Sequence, residues 1–525
     1  MLRYLRIAVD VLIRRGIAIE VLLIGVVAFT CLSFGGTPRW TWTVLEIGVG
    51  LAAILWVARM GLAKKLSYVK TPLNLLLVLL LIYIFLQVVP IPSGILRAFQ
   101  PNTPGVRTAG IPHVAAASGE ASGGGSIPIS LDRWRTRSAL FLAMAYVGFF
   151  LVFINNVTTR EQLGRMVGAL IAVGAIVAIA GFSTMVQDER MLYRLWPTGG
   201  ANEKPNFLNA DANPEFSAGY GFVFGVHEGD GVNFYVPKVH GGDVFGGFPS
   251  SNSAATVLVM TLLVSLGVFF GYVSTRRSQW GGSGGLLYTA EGNITLLVFL
   301  AAALLVYGLV MTRSRGGMAV MILLVPVLIL LVAFSRSLWA GIITAVVIAT
   351  VLITPMVVLG PTQVIALLGE KAGTWLNPWQ EEIRFLGRES ARRIAADFPL
   401  FGTGLGTFAS VYPAYKIHGP MLYFAHCDAL QWVSEMGLAG TILGAAILLV
   451  GAATVVLGWF RLKDPFFRRL LLGSGLGCVA CLVHGLVDFP LAIPGVAIVF
   501  VTSAAISVVV AQDRTARHEE SGFVS

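Results

Sequence analysis

Charged residues are scarce in this chain. Asp, Glu, Lys and Arg make up 12% of its 525 residues, whereas an ordinary soluble protein carries roughly 25%. Hydrophobic residues amount to 56%, and the mean hydropathy is +0.79. A composition so poor in charge excludes an ordinary soluble domain and indicates an integral membrane protein.

Cysteine is also scarce, with only Cys31, Cys427, Cys478 and Cys481. Only Cys427 falls in a predicted outer loop, so the sequence provides no disulfide framework. Cys478 and Cys481 match a CxxC spacing. Because they lie within an apolar run, we interpret them as small packing residues instead of a redox pair.

Acidic residues are outnumbered, with 27 Asp and Glu against 37 Lys and Arg, for a net charge of +10. The basic residues concentrate in short segments between alternate apolar runs, as is typical of cytoplasmic loops. This bias explains most of the positive charge, so we expect no nucleic-acid partner. It also predicts that both termini are cytoplasmic. The segments are Arg3 to Arg15, Arg59 to Lys70, Arg160 to Arg165, Arg276 to Arg277, Ser335 to Ser337, Arg461 to Arg469 and the tail from Arg514.

Long apolar runs predict about twelve transmembrane helices, since roughly 20 residues cross about 30 Å of hydrocarbon. No small-residue cleavage site follows the first run, which we interpret as a retained signal anchor. The predicted fold is an all-α polytopic membrane protein with a large, partly helical extracytoplasmic loop. The predicted spans are 16–34, 43–61, 72–90, 138–155, 163–186, 248–271, 292–312, 317–335, 338–359, 434–460, 470–488 and 491–511.

This topology divides the chain into membrane and loop regions, with the three longest loops on the outer face. We therefore expect the outer face to carry the function. The regions are 1–359 with nine spans and outer loops near 91–137 and 187–247, the large outer loop 360–433, the last three spans in 434–511, and a cytoplasmic tail at 512–525.

A polar segment interrupts the apolar runs between Phe398 and Gly440, reading FPLFGTGLGTFASVYPAYKIHGPMLYFAHCDALQWVSEMGLAG. It contains His426, and histidine transfers protons near neutral pH because its unperturbed pKa is about 6.5. The glycines of GTGLGTF lack the G-x-G-x-x-G spacing of a dinucleotide site, so we predict a tight turn at 402–408.

Arginines at the outer face are candidate anion-binding residues. Arg315, in MTRSRGGMAV, lies at the end of a span, and a guanidinium at the membrane centre would cost about 2.5 to 3.5 kcal/mol, so a partner is expected. Arg313 either supports such a site or reaches the lipid headgroups. Arg384, Arg388 and Arg392 recur every four residues on a predicted helix that ends before Pro399, and they form one basic stripe.

The alternative for the stripe is a solvated helix face neutralised by Glu381, Glu382 and Glu389. A separate pair, His484 and Asp488 in HGLVDFP, has the i, i+4 spacing of one helical face. We predict that these two side chains hydrogen-bond each other in a structural role.

Several motifs together resemble the bacterial O-antigen ligase and O-antigen polymerase superfamily. They cover most of the chain after about residue 125. In chain order they are ISLDRWRTRSAL, GGFPSSNSAATVL, SRGG, FPLFGTGLGTF, AHCDALQWVSEMGLAG and HGLVDFPLAIP. The sequence departs from the family pattern in FAHCDAL, where Cys427 occupies the usual asparagine position.

The resemblance implies a metal-independent, inverting glycosyltransferase with no cofactor. In this scheme His426 is the general base, and Arg315 and Arg384 bind the diphosphate of the donor. The carboxylate-free first outer loop, FGGTPRWT, also argues against the metal-dependent oligosaccharyltransferases. Residues with a possible supporting role are Arg313, Arg388, Arg392, Asp428 and Tyr423.

The implied partners are a polyprenyl diphosphate-linked glycan donor, a glycan or lipid acceptor and the bilayer itself, at the bacterial inner membrane with a periplasmic active face. The sequence leaves open whether the reaction is ligation, polymerisation or protein glycosylation. Two other classes also stay open, a polytopic transporter and a noncatalytic polysaccharide-assembly protein.

Overall fold

The structure is a computed structural model that describes residues 16–64, 68–102, 126–186, 191–194, 223–227, 231–235, 245–276, 289–335, 342 and 378–512. The predicted ninth span, 338–359, lies outside the described residues except for Ile342. Most of the predicted loop 187–247, residues 360–377 of the large loop, and the tail after 512 also lie outside them.

Helices account for nearly all of the described secondary structure. They are α1 Ile17–Leu32, α2 Arg39–Ala63, α3 Pro72–Val88, α4 Ser93–Phe99, α5 Arg133–Asn156, α6 Arg160–Val186, α7 Ser251–Arg276, α8 Ala290–Met311, α9 Arg315–Phe334, α10 Pro378–Asp397, α11 Phe408–Tyr415, α12 Asp428–Arg461, α13 Pro465–His484 and α14 Pro494–Ala511.

Five short strands lie in the predicted outer loops. Strands β1 Pro90–Pro92 and β2 Ser126–Pro128 pair antiparallel. Strands β3 Met191–Arg194, β4 Val223–His227 and β5 Gly231–Tyr235 form a three-stranded antiparallel sheet in the order β3-β5-β4.

Within the described residues, nine helices are long and apolar enough to cross a membrane, and α1 and α3 are shorter apolar helices. These eleven helices correspond to eleven of the twelve predicted spans, so the all-α polytopic fold is confirmed, while the number twelve stays a prediction. Three predicted starts were wrong by five or six residues. The helix predicted from 434 begins at Asp428, and the one predicted from 138 begins at Arg133, where Asp132 is the N-cap. The one predicted at 470–488 occupies Pro465–His484, because Asp464 caps its start and Pro465 fixes its first turn.

The core of the bundle lies around α7, which is the most enclosed of the candidate spans. Small residues let α7 approach α13 closely: a Cβ atom on Gly267 would lie 2.7 Å from the carbonyl oxygen of Arg469, and one on Gly473 would lie 2.5 Å from that of Leu263. Lipid is as apolar as a leucine side chain, so such close backbone packing holds membrane helices together.

The helix ends gather at two opposite faces. At one face, Arg160 at the start of α6 lies 3.4 Å from Asp464 at the start of α13, and Arg59 near the end of α2 donates a 3.1 Å hydrogen bond to Asn156 at the end of α5. The predicted cytoplasmic segments thus meet at one end of the bundle, which agrees with the predicted alternation. Which face is cytoplasmic stays a prediction.

Helix α12 contains a break at Gly437, where φ is 61° and ψ is −167°. This conformation is nearly exclusive to glycine. The break brings the backbone against the turn at Gly402, so that a Cβ on Gly437 would lie 2.5 Å from the amide nitrogen of Gly402. The residues of α12 before Gly437 therefore belong to a separate substructure.

We predict that Gly437→Ala destabilises the protein by at least about 1 to 3 kcal/mol, because alanine is strained in this conformation and its methyl group would collide with backbone. Gly451→Ala in the same helix is the matched control, since a Cβ there meets nothing within 4 Å. Thermal unfolding in detergent measures both. Equal melting temperatures for the two variants would contradict the described break.

Candidate functional site

Helices α10 and α11 form a small cap with its own apolar core at one end of the bundle. On α10 the buried positions are 383, 386, 387, 390, 391 and 394, a spacing that gives the helix one apolar face. Leu386, Phe398, Phe408 and Tyr412 are each at most 1% exposed. Arg384 and Arg388 flank this face and point toward the bundle. The predicted end of the helix before Pro399 is confirmed, since α10 ends at Asp397.

The glycine segment 402–408 is a tight turn, as predicted. Gly402, Gly404 and Gly406 all have positive φ. Its amide groups are used within the protein: the carboxylate of Glu435 accepts hydrogen bonds of 2.8 Å from the amide of Gly406 and 3.0 Å from that of Phe408. These donors are already committed, so the turn holds the cap on α12 and has no amides to spare for a ligand phosphate.

The SRGG motif starts α9, and each of its residues has a separate contact. Ser314 caps the helix by accepting a 3.2 Å hydrogen bond from the amide of Gly317, and its hydroxyl donates to Asn252 Oδ1 at 2.8 Å. Gly316 packs directly against the imidazole of His484, where a Cβ would collide with the ring. Arg315 is thereby held at the end of the bundle that faces the cap.

Arg315 and Arg384 meet on one carboxylate oxygen. Arg315 Nη2 donates to Glu381 Oε1 at 3.1 Å, and Arg384 Nη1 donates to the same oxygen at 3.2 Å. The two arginines come from a membrane helix and from the cap, 69 positions apart in the sequence by 384 − 315. The structure therefore creates a site where two guanidinium groups bind a single anionic atom.

His426 lies close to this site, immediately before α12. Its Nδ1 atom is 3.7 Å from Asp488 Oδ1, which is near enough for electrostatic pairing but too long for a hydrogen bond. The ring packs edge-on against Phe489, with centroids 4.9 Å apart. The backbone of His426 has φ of 52°, a conformation that is strained for a non-glycine residue. Its carbonyl accepts a 3.3 Å hydrogen bond from Arg388 Nε, which helps to hold it.

Asp488 lies beyond the end of α13, outside the candidate spans, and its charge is set by its neighbours. Burial raises the pKa of its carboxyl, but the interaction with His426 and the charges of His484 and Arg384 lower that pKa further, to below its ordinary value of 3.8. The group is therefore ionised at neutral pH. Arg384 therefore interacts with two carboxylates: it donates to Glu381, and its charge acts on Asp488, which faces His426.

Hydrogen bonds connect the start of α9, next to Arg315, to the carboxylate that faces the histidine. Asn252 at the start of α7 donates to Asp488 and accepts from Ser314, the residue next to Arg315. The chain Ser314, Asn252, Asp488 and His426 therefore crosses three membrane-side elements. It fixes the separation of the anion site and the imidazole.

Two of the predicted supporting residues hold the site in place. Arg388 contacts the carbonyl of His426 and, at 3.4 Å, that of Val487. Asp428 accepts a 3.0 Å hydrogen bond from the amide of Leu491, and its own amide donates to the carbonyl of Gly485 at 2.7 Å. Both residues tie the histidine segment to the turn that carries Asp488.

The other three predicted supporting residues lie apart from this network. Arg392 pairs with Glu389 and its side chain is 72% exposed, which matches the solvated alternative for that part of the stripe. Arg313 is exposed, in a left-handed conformation after α8. Tyr423 lines the cavity described below.

His484 and Asp488 do not form the predicted mutual hydrogen bond within the described contacts. Helix α13 ends at His484, whose Nδ1 is 2.7 Å from Thr256 Oγ1, while the carboxylate of Asp488 faces His426 and Asn252. The two residues are nevertheless one helical turn apart, as the i, i+4 spacing predicted, since the amide of Asp488 donates to the carbonyl of His484 at 3.0 Å. The side chains diverge because each has a closer partner on another helix.

A cavity of about 800 Å³ lies beside α12 and is lined mainly by apolar side chains. It extends from Tyr423 and Gln431 at the cap to Val456 and Ser507 deep in the bundle. Arg315, Arg384 and His426 are not among its lining residues. The stacked rings of Phe424 and Phe489 separate the cavity from His426.

Within the described residues, no group of three or more His, Cys, Asp and Glu side chains is arranged to hold a metal ion. Three contacts of the site were not predicted: the bridge through Glu381, the pairing of Asp488 with His426 and the link through Asn252. Asn252 and Asp488 lie in two of the motifs quoted above, GGFPSSNSAATVL and HGLVDFPLAIP. The motifs identified these segments but did not indicate which residues they contact.

Fold and site together define a polytopic helical membrane protein with a histidine, a carboxylate and paired arginines gathered at one end of its bundle. Residues 300–445 match the family described as O-antigen ligase. This match supports membership in the O-antigen ligase and polymerase superfamily, which the motifs predicted. This supports a membrane enzyme of surface polysaccharide assembly. No curated protein matches the sequence.

Cys427, where the family pattern has asparagine, is the N-cap of α12 and makes no capping hydrogen bond through its side chain. Asparagine is among the best N-cap residues, so we predict that Cys427→Asn stabilises the protein by about 0.5 to 2 kcal/mol. Thermal unfolding in detergent checks this, with Cys427→Ala as the control. A melting temperature of Cys427→Asn at or below that of Cys427→Ala would show that the segment cannot use the cap.

Proposed function

We propose that this protein is a glycosyltransferase that moves a glycan from a polyprenyl diphosphate carrier to an acceptor hydroxyl, in the ligation or polymerisation of a surface polysaccharide. The observation that carries this proposal is the meeting of Arg315 and Arg384 on one anionic oxygen, beside a histidine that faces a buried carboxylate.

The arginine pair suits the leaving group. When the bond between the anomeric carbon and the diphosphate oxygen breaks, negative charge develops on the diphosphate, and guanidinium groups stabilise it through charge-assisted and bidentate hydrogen bonds. Two guanidinium groups supply the positive charge that a metal ion would otherwise provide. We therefore propose a metal-independent reaction.

The histidine suits the acceptor. In our proposal His426 takes the proton of the acceptor hydroxyl while that oxygen forms a bond to the anomeric carbon, on the face opposite the departing diphosphate, so that the carbon is inverted. Because Nδ1 faces Asp488, Nε2 is the nitrogen left for the hydroxyl. The ionised carboxylate of Asp488 stabilises the imidazolium that forms.

The cavity beside α12 suits a substrate attached to a lipid. Its apolar lining and its extension from the cap into the bundle match a hydrocarbon chain with a polar head. The charged residues of the site lie at the end of the bundle instead of its midplane, which favours an enzyme over the alternative transporter. Periplasmic orientation of this end remains part of the proposal.

We predict that His426→Ala reduces glycan transfer by about 10²- to 10⁴-fold, since a general base contributes that much. Arg315→Ala and Arg384→Ala should each lose roughly 10- to 100-fold in kcat/KM, as expected for a hydrogen bond to a charged group. The assay uses purified protein in liposomes with a polyprenyl diphosphate-linked glycan donor and a lipid-linked glycan acceptor.

Arg393→Ala is the matched control for the arginine variants, because Arg393 lies on the same helix as Arg384 but pairs with Glu389 at the exposed face. It should retain the wild-type rate. Wild-type transfer by folded His426→Ala would refute the role of His426, whereas the absence of transfer by the wild-type protein would favour the noncatalytic alternative.

We predict that Asp488→Asn lowers the transfer rate by about tenfold or more, because the variant lacks the charge that stabilises the imidazolium formed on proton transfer. The pKa of Asp488 is lowered from 3.8, so the carboxylate is ionised above that pH and its contribution is lost only as the pH falls below it. The full loss should therefore be present at neutral pH. Transfer rates at about pH 7 check the prediction, with Asp464→Asn at the opposite end of α13 as control. Equal rates for folded Asp488→Asn and Asp464→Asn would contradict the role of the carboxylate.

A further inference from the structure

The anion position of the proposed site is already filled by part of the protein. Glu381 Oε1 accepts hydrogen bonds from both Arg315 and Arg384, at 3.1 and 3.2 Å. This is the place where the proposed mechanism needs a diphosphate oxygen. A donor can bind both arginines only after the carboxylate has moved away.

Glu381 differs in its contacts from the other carboxylates of α10. Glu382 pairs with His418, Glu389 with Arg392 and Arg393, and Asp397 accepts a hydrogen bond from Tyr415, and all of these partners belong to the cap region. Only Glu381, among these four, reaches a residue of a membrane helix. Its position is therefore specific to the arginine pair.

The carboxylate is also free to leave. The Glu381 side chain is 44% exposed, whereas those of Arg315 and Arg384 are 31% and 23% exposed. An exposed ion pair shifts an equilibrium by only about one- to fivefold. Because Glu381 lies one turn before Arg384 on the same helix, it nevertheless competes at a high effective concentration with anything that arrives from the membrane.

We propose that Glu381 is a specificity-determining residue, an internal anion that keeps monoanionic phosphate headgroups of the bilayer off the arginine pair and yields only to a diphosphate. This inference rests on the proposed function. A phosphodiester headgroup has one negative charge, as the carboxylate does, so exchanging one for the other gains little. A diphosphate has more charge and more acceptor oxygens, and it engages both guanidinium groups at once.

The position of the arginine pair at a membrane surface explains why such a residue is needed. Two arginines at a membrane surface attract anionic lipid, and phospholipid greatly outnumbers any carrier-linked glycan in a bilayer. Without an internal competitor, abundant headgroups would occupy the site. The same competitor would also assist the release of the polyprenyl diphosphate product, since Glu381 returns to the arginines as the product leaves.

The test compares wild type, Glu381→Gln and Glu382→Gln in liposomes of phosphatidylcholine with increasing amounts of phosphatidylglycerol, a monoanionic phosphodiester lipid. In phosphatidylcholine alone, we expect the KM of Glu381→Gln for the lipid-linked donor to be about two- to tenfold below that of wild type. Phosphatidylglycerol should raise the KM of Glu381→Gln by a similar factor and leave wild type and Glu382→Gln unchanged. Glu381→Asp, which keeps the charge, should resist phosphatidylglycerol.

A second measurement is independent of glycan transfer. Inorganic pyrophosphate in detergent should raise the melting temperature of Glu381→Gln more than that of wild type, and it should not stabilise Arg315→Ala. If Glu381→Gln matches Glu382→Gln in both experiments while Arg315→Ala loses transfer, the inference about Glu381 is wrong and the proposed function stands. If Glu381→Gln loses donor affinity as Arg315→Ala does, Glu381 supports the arginines, which also overturns the inference. If Arg315→Ala transfers glycan at the wild-type rate, the proposed role of the arginine pair fails, and if the wild-type protein transfers no glycan, the proposed function itself fails.

Discussion

The site depends on one contact, in which the carboxylate of Glu435 holds the glycine turn at 402–408 against α12. Three alternating glycines with positive φ, Gly402, Gly404 and Gly406, allow the chain to reverse close enough for the amides of Gly406 and Phe408 to reach that carboxylate. A buried charge is costly unless its hydrogen bonds are made. Gln87 of α3 completes the arrangement by bonding the carbonyls of Phe401 and Glu435. With the turn fixed, α10 has a defined position over the bundle.

That position of α10 brings charged residues from distant parts of the chain close enough to interact. Arg384 and Arg315 both donate to Glu381, and Arg388 donates to the carbonyl of His426. From the membrane side, Asn252 and Asp488 approach the same region. Positive charge thus lies on the cap and at the start of α9, while the carboxylate that faces the imidazole belongs to the turn after α13. Neither the cap nor the bundle carries the complete site.

The features that depend on local sequence patterns could be predicted from the sequence alone. Apolar run length located eleven of the described helices, glycine spacing indicated the turn, and the proline after Asp397 located the end of α10. The motifs predicted the family whose model matches residues 300–445. Pairings between helices were not predictable, because they depend on how spans pack. His484 and Asp488 illustrate this: the four-residue spacing suggested a mutual bond, but Thr256 and His426 on other elements lie closer to them. Glu381 was taken for a neutraliser of its own helix, since its membrane partner, Arg315, is remote in sequence.

The break at Gly437 changes where the membrane body of this protein ends. Helix α12 is continuous in sequence, but its first turns, with Gln431 and Glu435, are bonded to the cap, while the residues after 437 line the bundle. The helical hydrogen-bond ladder is interrupted between these parts, and the amides of Leu438 and Ala439 donate instead to the carbonyls of Pro399 and Leu400. The cap is therefore bonded to α12 on both sides of the break. The segment that carries His426 is in turn bonded to the turn of Asp488 through Arg388 and the amide of Asp428. Any displacement of the cap would therefore be transmitted directly to the proton acceptor and its carboxylate.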